Sequence, residues 1–420
     1  MAREMKDSGI EWIGEIPREW EVQRLKHSLQ WKSEKGKPNA TVLSLYRDYG
    51  VVPKDSRDDN YNVTSLDTSN YKVVSKGDFV INKMKAWQGS MAVSNYDGIV
   101  SPAYHVCKVT NPNIFLRYFH YLLRNQSYLP EYRRLSSGLR IGQWDLGFDD
   151  FINIPFVIPP LHEQQAIADF LDTQCAHIDS VIEKTRAAIE EYKKLKQSVI
   201  TQAVTKGIRP NREMKGSGIE WIGEIPEEWD VQKIKFSVKW KSEKGHPNAE
   251  VLSLYRDYGV IPKSSRDDNH NVTSLDTSSY KFVSKGDFVV NKMKAWQGSM
   301  ALSDYEGIIS PAYHVCEIIN KNINKKYFHY LLRNQLYLPE YLRLSTGMRI
   351  GQWDLSFDDF ANLLFVIPSY NEQQEIVDYI DKKIPEIDSL ISKKEQLISE
   401  LESYKKSLIY EYVTGKKEVV

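Results

Sequence analysis

Two stretches of the chain carry an apolar pattern unlike the rest. Leu171, Cys175, Ile178, Ile182, Ile189, Tyr192, Val199 and Ala203 fall on a and d positions of one heptad frame, interrupted by Thr185 and Lys196. Ile380, Ile384, Ile387, Ile391, Ile398, Leu401, Leu408 and Tyr412 repeat the frame, interrupted by Lys394 and Lys405. The period predicts two helices of about 40 residues, each roughly 60 Å long, with one narrow apolar seam that needs a partner. The simplest partner is the other helix. Ser369-Tyr370-Asn371-Glu372 has capping-box spacing at the start of the second, and Pro160 stands ahead of Glu163 at the start of the first.

Elsewhere the pattern is mixed. The β-branched and aromatic runs Tyr71-Lys72-Val73-Val74 and Phe79-Val80-Ile81 flank Lys76-Gly77-Asp78 and read as strands joined by a hairpin turn. The run from Ile114 to Leu135 puts Phe115, Tyr118, Phe119, Leu122 and Leu123 on one side, with Asn113 as N-cap, and reads as one helix.

Both kinds of pattern occur twice. Glu11-Trp12-Ile13-Gly14-Glu15-Ile16-Pro17 returns as Glu220-Trp221-Ile222-Gly223-Glu224-Ile225-Pro226, and the same offset of 209 holds without a gap from Arg3/Arg212 to Thr205/Thr414. Of the 158 aligned positions from Arg3 to Pro160, 122 are identical, against 18 of 45 from Leu161 to Thr205. The expected fold class is therefore α+β. Two similar mixed α/β domains, 1–160 and 210–369, are each followed by a long helix, 161–209 and 370–420, and the helices pair as an antiparallel coiled coil.

Composition bounds the function. With 41% hydrophobic and 27% charged residues among 420, the chain can bury real cores. Cys107, Cys175 and Cys316 include no CxxC pair, and no apolar run is long enough to span a bilayer. A polar opening, Met1-Ala2-Arg3-Glu4, does not suit a signal peptide, so a cytoplasmic protein without a membrane is expected. The formal net charge of +0 lends nucleic-acid binding no global support, so any basic footprint must be local.

Catalytic motifs are wanting. A glycine-rich cofactor loop is lacking, and Asn153-Ile154-Pro155-Phe156 falls short of an amine-methylating motif, its aligned copy reading Asn362-Leu363-Leu364-Phe365. Gly36-Lys37 leads into Pro38 and Gly142 into Gln143, so neither opens a nucleotide loop. His105 with Cys107, and His314 with Cys316, offer two ligand types on a strand face, which do not make a zinc site. Glu191-Tyr192-Lys193 reads as a solvated helix face. No cofactor, metal or catalytic residue is expected.

Three polar segments, the same in both copies, could read DNA. The first is Asn82-Lys83-Met84-Lys85-Ala86-Trp87-Gln88-Gly89-Ser90, repeated from Asn291 to Ser299, with Lys292, Lys294, Trp296 and Gln297 in the corresponding places. Lysines suit phosphates, and Asn or Gln fits an adenine edge in the major groove. A hairpin loop packed by Trp87 is the competing structural reading. The second segment holds Arg47 and Arg256, and the third holds Arg140 and Gln143 with Arg349 and Gln352. Arginine can contact guanine with two bonds or pair with a neighbouring carboxylate, as Arg47 with Asp48.

A Ser-Gly-Ile-Glu-Trp-Ile-Gly-Glu-Ile-Pro opening, a Lys-Gly-Asp turn, and a Pro…Glu-Gln-Gln helix start at Pro159 to Gln165 and again at Pro368 to Gln374 occur in this order. Over essentially the whole chain this resembles the specificity subunits of type I restriction and modification systems. The resemblance implies a non-catalytic chain whose two domains each recognise half of a split site in double-stranded DNA. It also implies that the paired helices act as spacer and as docking surface for two adenine methyltransferase subunits, with restriction and translocase subunits in the full complex. Members of that family commonly join dissimilar domains by similar helices. Here the domains are the more alike, which points to an interrupted palindrome. A coiled-coil scaffold with duplicated protein- or glycan-binding domains remains the alternative.

Overall fold

The structure is a computed structural model that describes residues 3–47, 49–57, 64–138, 144–266, 276–347 and 353–419. The chain divides into two compact units, one comprising 1–185 with 396–420 and the other 186–395. Each unit thus takes a globular region from one copy and helix from both.

The centre of the first unit is a four-stranded antiparallel sheet in the order Leu29–Lys32, Tyr104–Val109, Phe79–Asn82, Met91–Val93. Alternation along these strands separates two cores. Phe79, Ile81 and Cys107 face the helix Leu116–Leu123 and its Tyr118, Phe119 and Leu122. Val80, Ala92 and Val106 face Leu43, Leu45 and Val51 of the hairpin Leu43–Tyr46/Gly50–Pro53. The second unit repeats the sheet as Val238–Lys241, Tyr313–Ile318, Phe288–Asn291, Met300–Leu302, with the same division of faces.

Two local expectations need correction. The strands Lys72–Val74 and Phe79–Asn82 do not pair with each other; the former pairs with Gly98–Val100 and the latter lies in the four-stranded sheet. Their turn carries the chain between sheets, because the buried Asp78 carboxylate accepts from Ser75 N at 2.7 Å and from Lys32 Nζ at 2.9 Å, anchoring it to a third strand. The run from Ile114 to Leu135 is likewise not one helix. Leu116–Leu123 ends before Asn125, whose backbone is extended and whose Oδ1 accepts from Ser127 N at 2.8 Å, and Pro130 then opens Leu129–Leu135. Asn113 is not the N-cap of the first helix, a position that falls to Phe115 without a side-chain bond.

The long helices run Leu161–Lys206 and Tyr370–Val413. Inside the first unit Phe170 lies 4.5 Å from Tyr412 between ring centroids, and Lys405 Nζ reaches Asp179 at 2.6 Å, so the two segments run antiparallel. Inside the second, Lys196 Nζ reaches Asp388 at 2.6 Å and Lys394 Nζ lies 5.7 Å from the Tyr192 ring, again antiparallel. These contacts account for every polar interruption of the heptads. Lys196, Lys394 and Lys405 reach the opposite helix, while the buried Thr185 donates to its own Val181 O at 2.8 Å.

The Pro…Glu-Gln-Gln start explains how each helix is fastened to its domain. Gln164 is buried, accepts from Phe115 N at 2.9 Å, and donates to Asn113 O and Pro159 O, both at 2.8 Å. Gln373 makes the same bonds to Asn324 N, Asn322 O and Pro368 O at 2.8, 3.0 and 2.9 Å. Glu163 holds Arg3 and accepts from Trp20 Nε1 at 2.9 Å, and Glu372 holds Arg212. The capping box at Ser369 is consequently half made: Glu372 N donates to Ser369 Oγ at 3.4 Å, but the Glu372 carboxylate is engaged by Arg212.

Candidate nucleic-acid interface

The 82–90 segment is a turn built to hold one shape. Asn82 Oδ1 accepts from Met84 N at 3.2 Å, Ala86–Gln88 form one 3-10 turn, and Gly89 closes it at φ 79° with its N–H on Ala86 O at 2.7 Å. The positive φ favours glycine here, and a Cβ at Gly89 would lie 2.9 Å from Leu129 Cδ2, so that side chain would have to shift. Trp87 packs edge-on against Trp144 at 5.2 Å, as Trp296 does against Trp353 at 5.1 Å. Lys83 Nζ pairs with Asp145 at 2.9 Å, and Lys292 with Asp354 at 3.0 Å. Lys85 and Lys294 are exposed, Gln88 is partly exposed, and Gln297 is exposed. The aromatic and asparagine members of the segment therefore shape the turn, as Asn291 does by accepting from Met293 N at 3.1 Å, and its lysines and glutamines face outward.

A second segment arrives at the same sheet edge. Val51 bridges Ser94 in the parallel sense, so the end of that hairpin, with Arg47 and Tyr49, lies toward Met91 and the turn before it. The Tyr104 phenol, its pKa pushed up by burial, lies within reach of the Leu45 backbone and the Asn82 side chain, tying tip to turn. Arg124, on the helix side, donates to the Arg47 carbonyl and sits 2.9 Å from His120 Nε2. In the second unit Arg333 donates to the Arg256 carbonyl in the same way. The tip is thus held by its backbone, leaving the Arg47 and Arg256 side chains exposed. Asp48 lies outside the described residues; its counterpart Asp257 is 3.7 Å from Arg256 Nε, with both side chains well exposed. His120 and His329 were not among the residues singled out from sequence. Burial, with Arg124 or Arg333 beside them, brings their pKa values down to about 3.

The third segment is only partly described. Arg140, Gln143, Arg349 and Gln352 lie outside the described residues, but Trp144, Asp145 and Leu146 follow directly. Leu146 N donates to Lys83 O at 3.0 Å, and Leu146 O accepts from His105 Nε2 at 3.2 Å. The 144–146 segment therefore meets the 82–90 turn at Lys83, through its carbonyl and its ammonium.

The motifs set aside as structural are so placed. Cys107 and Cys316 are buried and their thiol pKa values rise to about 12 by burial. Among the described residues no group of three or more His, Cys, Asp and Glu is arranged to hold a metal ion, and no helix is long and apolar enough to cross a membrane. Pro155–Ile158 and Leu364–Ile367 are strands paired with Glu21–Arg24 and Asp230–Lys233. One isolated Gly-x-Gly, Gly216-Ser217-Gly218, ends the exposed strand Met214–Gly216 and aligns with Asp7-Ser8-Gly9, so it is no cofactor loop.

Known proteins share this architecture. A chain solved in a structural study of complex assembly and conformational transition of the type I R-M system superposes with a TM-score of 0.70 at 14% identity, covering 96% of this chain and 99% of that one. The HsdS subunit from Thermoanaerobacter tengcongensis superposes with a TM-score of 0.54 at 15% identity, covering 96% and 98%. In sequence, the type I restriction enzyme EcoKI specificity subunit of Escherichia coli K12 is 25% identical over 305 residues, 68% of this chain and 62% of that protein. The MjaVIII specificity subunit of Methanocaldococcus jannaschii is 28% identical over 236 residues, 54% and 51%. The matches thus span between half and about three fifths of these relatives. The family model described as type I restriction modification DNA specificity domain matches residues 17–191 and 226–402. Matched over most of both copies, the chain belongs to the type I restriction modification DNA specificity family and carries its domain twice.

Proposed function

We propose that this chain is the DNA-reading, non-catalytic specificity subunit of a type I restriction-modification complex. In this reading 1–160 and 210–369 are target-recognition domains, and 161–209 and 370–420 are spacer helices. Each domain binds half of a bipartite site in double-stranded DNA. The helices dock two adenine methyltransferase subunits, which restriction and translocase subunits join in the full cytoplasmic complex.

The observation that carries the reading is one interface built twice from the same residues. The 82–90 turn, the Arg47 backbone and the 144–146 segment recur in the second unit with the same bonds. Base contacts are assigned to Gln88 and Gln297, with Arg47, Arg140, Gln143 and their counterparts Arg256, Arg349 and Gln352 around them. Phosphate contacts are assigned to Lys83, Lys85, Lys292 and Lys294, with Asn82, Trp87, Asn291 and Trp296 shaping the turns. Co-expression with the adenine methyltransferase of the source organism's type I system tests this. Adenine methylation at a defined sequence should appear only when both chains are present. Methylation at the same sites without this chain would refute the role.

A further inference from the structure

Trp31 lies on the edge strand Leu29–Lys32 and is 48% exposed; Trp240, its counterpart, is 49% exposed. Neither belongs to the polar segments discussed above. The Trp31 ring rests on Phe148 at 4.9 Å and stands edge-on to His105 at 5.8 Å, while Trp240 stacks on Phe357 at 5.8 Å. These contacts fix each ring from beneath while nearly half of its surface stays in solvent.

One lysine stands beside that ring, and two more act on it electrostatically. Lys72 Nζ lies 5.8 Å from the Trp31 centroid and donates to Tyr104 O at 2.6 Å. Lys281 Nζ lies 5.6 Å from the Trp240 centroid and donates to Tyr313 O at 2.7 Å. Burial lowers the pKa of Lys72, and Lys83 and Lys35 stand near enough to lower it further by repulsion. Lys281 is depressed by burial, Lys292 and Lys244 in the same order. Of these ammoniums, Lys83 is matched by Asp145, whereas Lys35 is exposed and, among the described residues, reaches the neutral Asn70 Oδ1 at 3.5 Å. Glu34 is drawn to Lys32 and Lys37 at 4.0 Å each. The first unit thus carries a local excess of positive charge on a chain whose formal net charge is +0; in the second, Glu243 lies 3.9 Å from Lys241 and 2.9 Å from His246, which stands where the first copy has Lys37, and the excess is smaller, resting on Lys244 and Lys281.

We propose that Trp31 with Lys35 and Lys72, and Trp240 with Lys244 and Lys281, form a patch in each unit that grips the sugar-phosphate backbone beside the bases read by the adjoining turn. Lys35 and Lys244 meet phosphate oxygens, the indole lies against deoxyribose, and Lys72 and Lys281 supply charge from below. Lys83, shared with the 82–90 turn, joins the patch to the base-reading residues. The inference rests on the DNA-reading function proposed above and extends it to residues outside the three candidate segments.

The test measures binding of the full chain to two duplexes across a salt series, one of random sequence and one selected from a random pool. The variant Lys35→Ala with Lys244→Ala alters two exposed side chains and leaves both cores intact. It should weaken both duplexes by the same factor and make the slope of log affinity against log salt shallower by about 2. Trp31→Ala with Trp240→Ala should weaken both by about fivefold through lost apolar contact. An unchanged slope and affinity in the lysine variant, with wild-type protein still preferring the selected duplex, overturns the patch and leaves the functional reading standing. A loss confined to the selected duplex overturns the backbone assignment in favour of base contact. Failure of the wild-type protein to bind either duplex overturns the functional reading and the patch with it.

Discussion

Gln88 and Gln297 sit on turns whose shape is set by other residues. Asn82 and Gly89 make the bend, Trp87 anchors it, and Lys83 ties it to Asp145, so the glutamine can be changed without unmaking the turn. Gln88→Ala with Gln297→Ala should therefore lose specific binding by about 1–3 kcal/mol per base contact while random-sequence binding persists, as measured by competition gel shift. The turn was legible in sequence because its residues recur together, but identity alone could not separate shaping from reading. Gly89 and Trp87 are kept for conformation and packing. His120 and His329 had no sequence signal at all, since their buried setting beside Arg124 and Arg333 exists only in the fold. Their folded pKa of about 3 lies below the usual 6.5, so the unfolded chain binds protons first as pH falls. The stability they contribute is whole above about pH 6.5 and is lost progressively toward about pH 3, by about 1.4 kcal/mol per pH unit for each histidine. Urea unfolding between pH 7 and pH 4 should show this slope flatten in His120→Asn with His329→Asn, relative to wild type; an unchanged slope would assign the acid sensitivity to other groups.

Among elements, the long helices were the most legible, because a heptad seam persists over many turns and the two seams can cover each other. The polar interruptions were visible as breaks; their cross-helix partners, Asp388, Tyr192 and Asp179, could not be named before the antiparallel register was known. Short elements were read less well. The expected 114–135 helix breaks because Asn125 and Pro130 turn the chain locally, a signal outweighed by the apolar spacing on either side. The expected hairpin at Lys76-Gly77-Asp78 is a crossing between sheets, fixed by the long-range Asp78 to Lys32 bond that no local pattern encodes. The helix start Pro…Glu-Gln-Gln was recognisable as a motif before its work was evident. Gln164→Ala should destabilise the first unit by about 1–3 kcal/mol, because the buried Pro159 carbonyl and the half-buried Phe115 N–H and Asn113 carbonyl lose their partner, whereas exposed Gln165→Ala should stay within about 0.5 kcal/mol. Denaturant unfolding compares the two directly. Under the proposed spacer role, one heptad added to both helices, near Thr185 and Lys394, should lengthen the gap between half-sites without changing the bases read, as methylation mapping would reveal.

For the whole molecule, the 209-residue repeat is the feature from which most of the account follows, and it was plain in the sequence. Less plain was how the copies share their helices. Lys405 to Asp179 in one unit becomes Lys196 to Asp388 in the other when both members shift by 209, so each domain is completed by helix from its sister copy in an equivalent way. The convergence of three segments on one sheet edge was also hidden, because residues around 47, 83 and 145 share no local pattern. If two equal readers meet opposite strands of a duplex, they read the same half-sequence in opposite sense. Sequencing the duplexes that the full chain, with its methyltransferase partner, enriches from a random pool tests this most directly. One half-sequence should be present twice, inverted, across a gap of fixed length; two unrelated half-sites, or no enriched sequence, would contradict the symmetric reader.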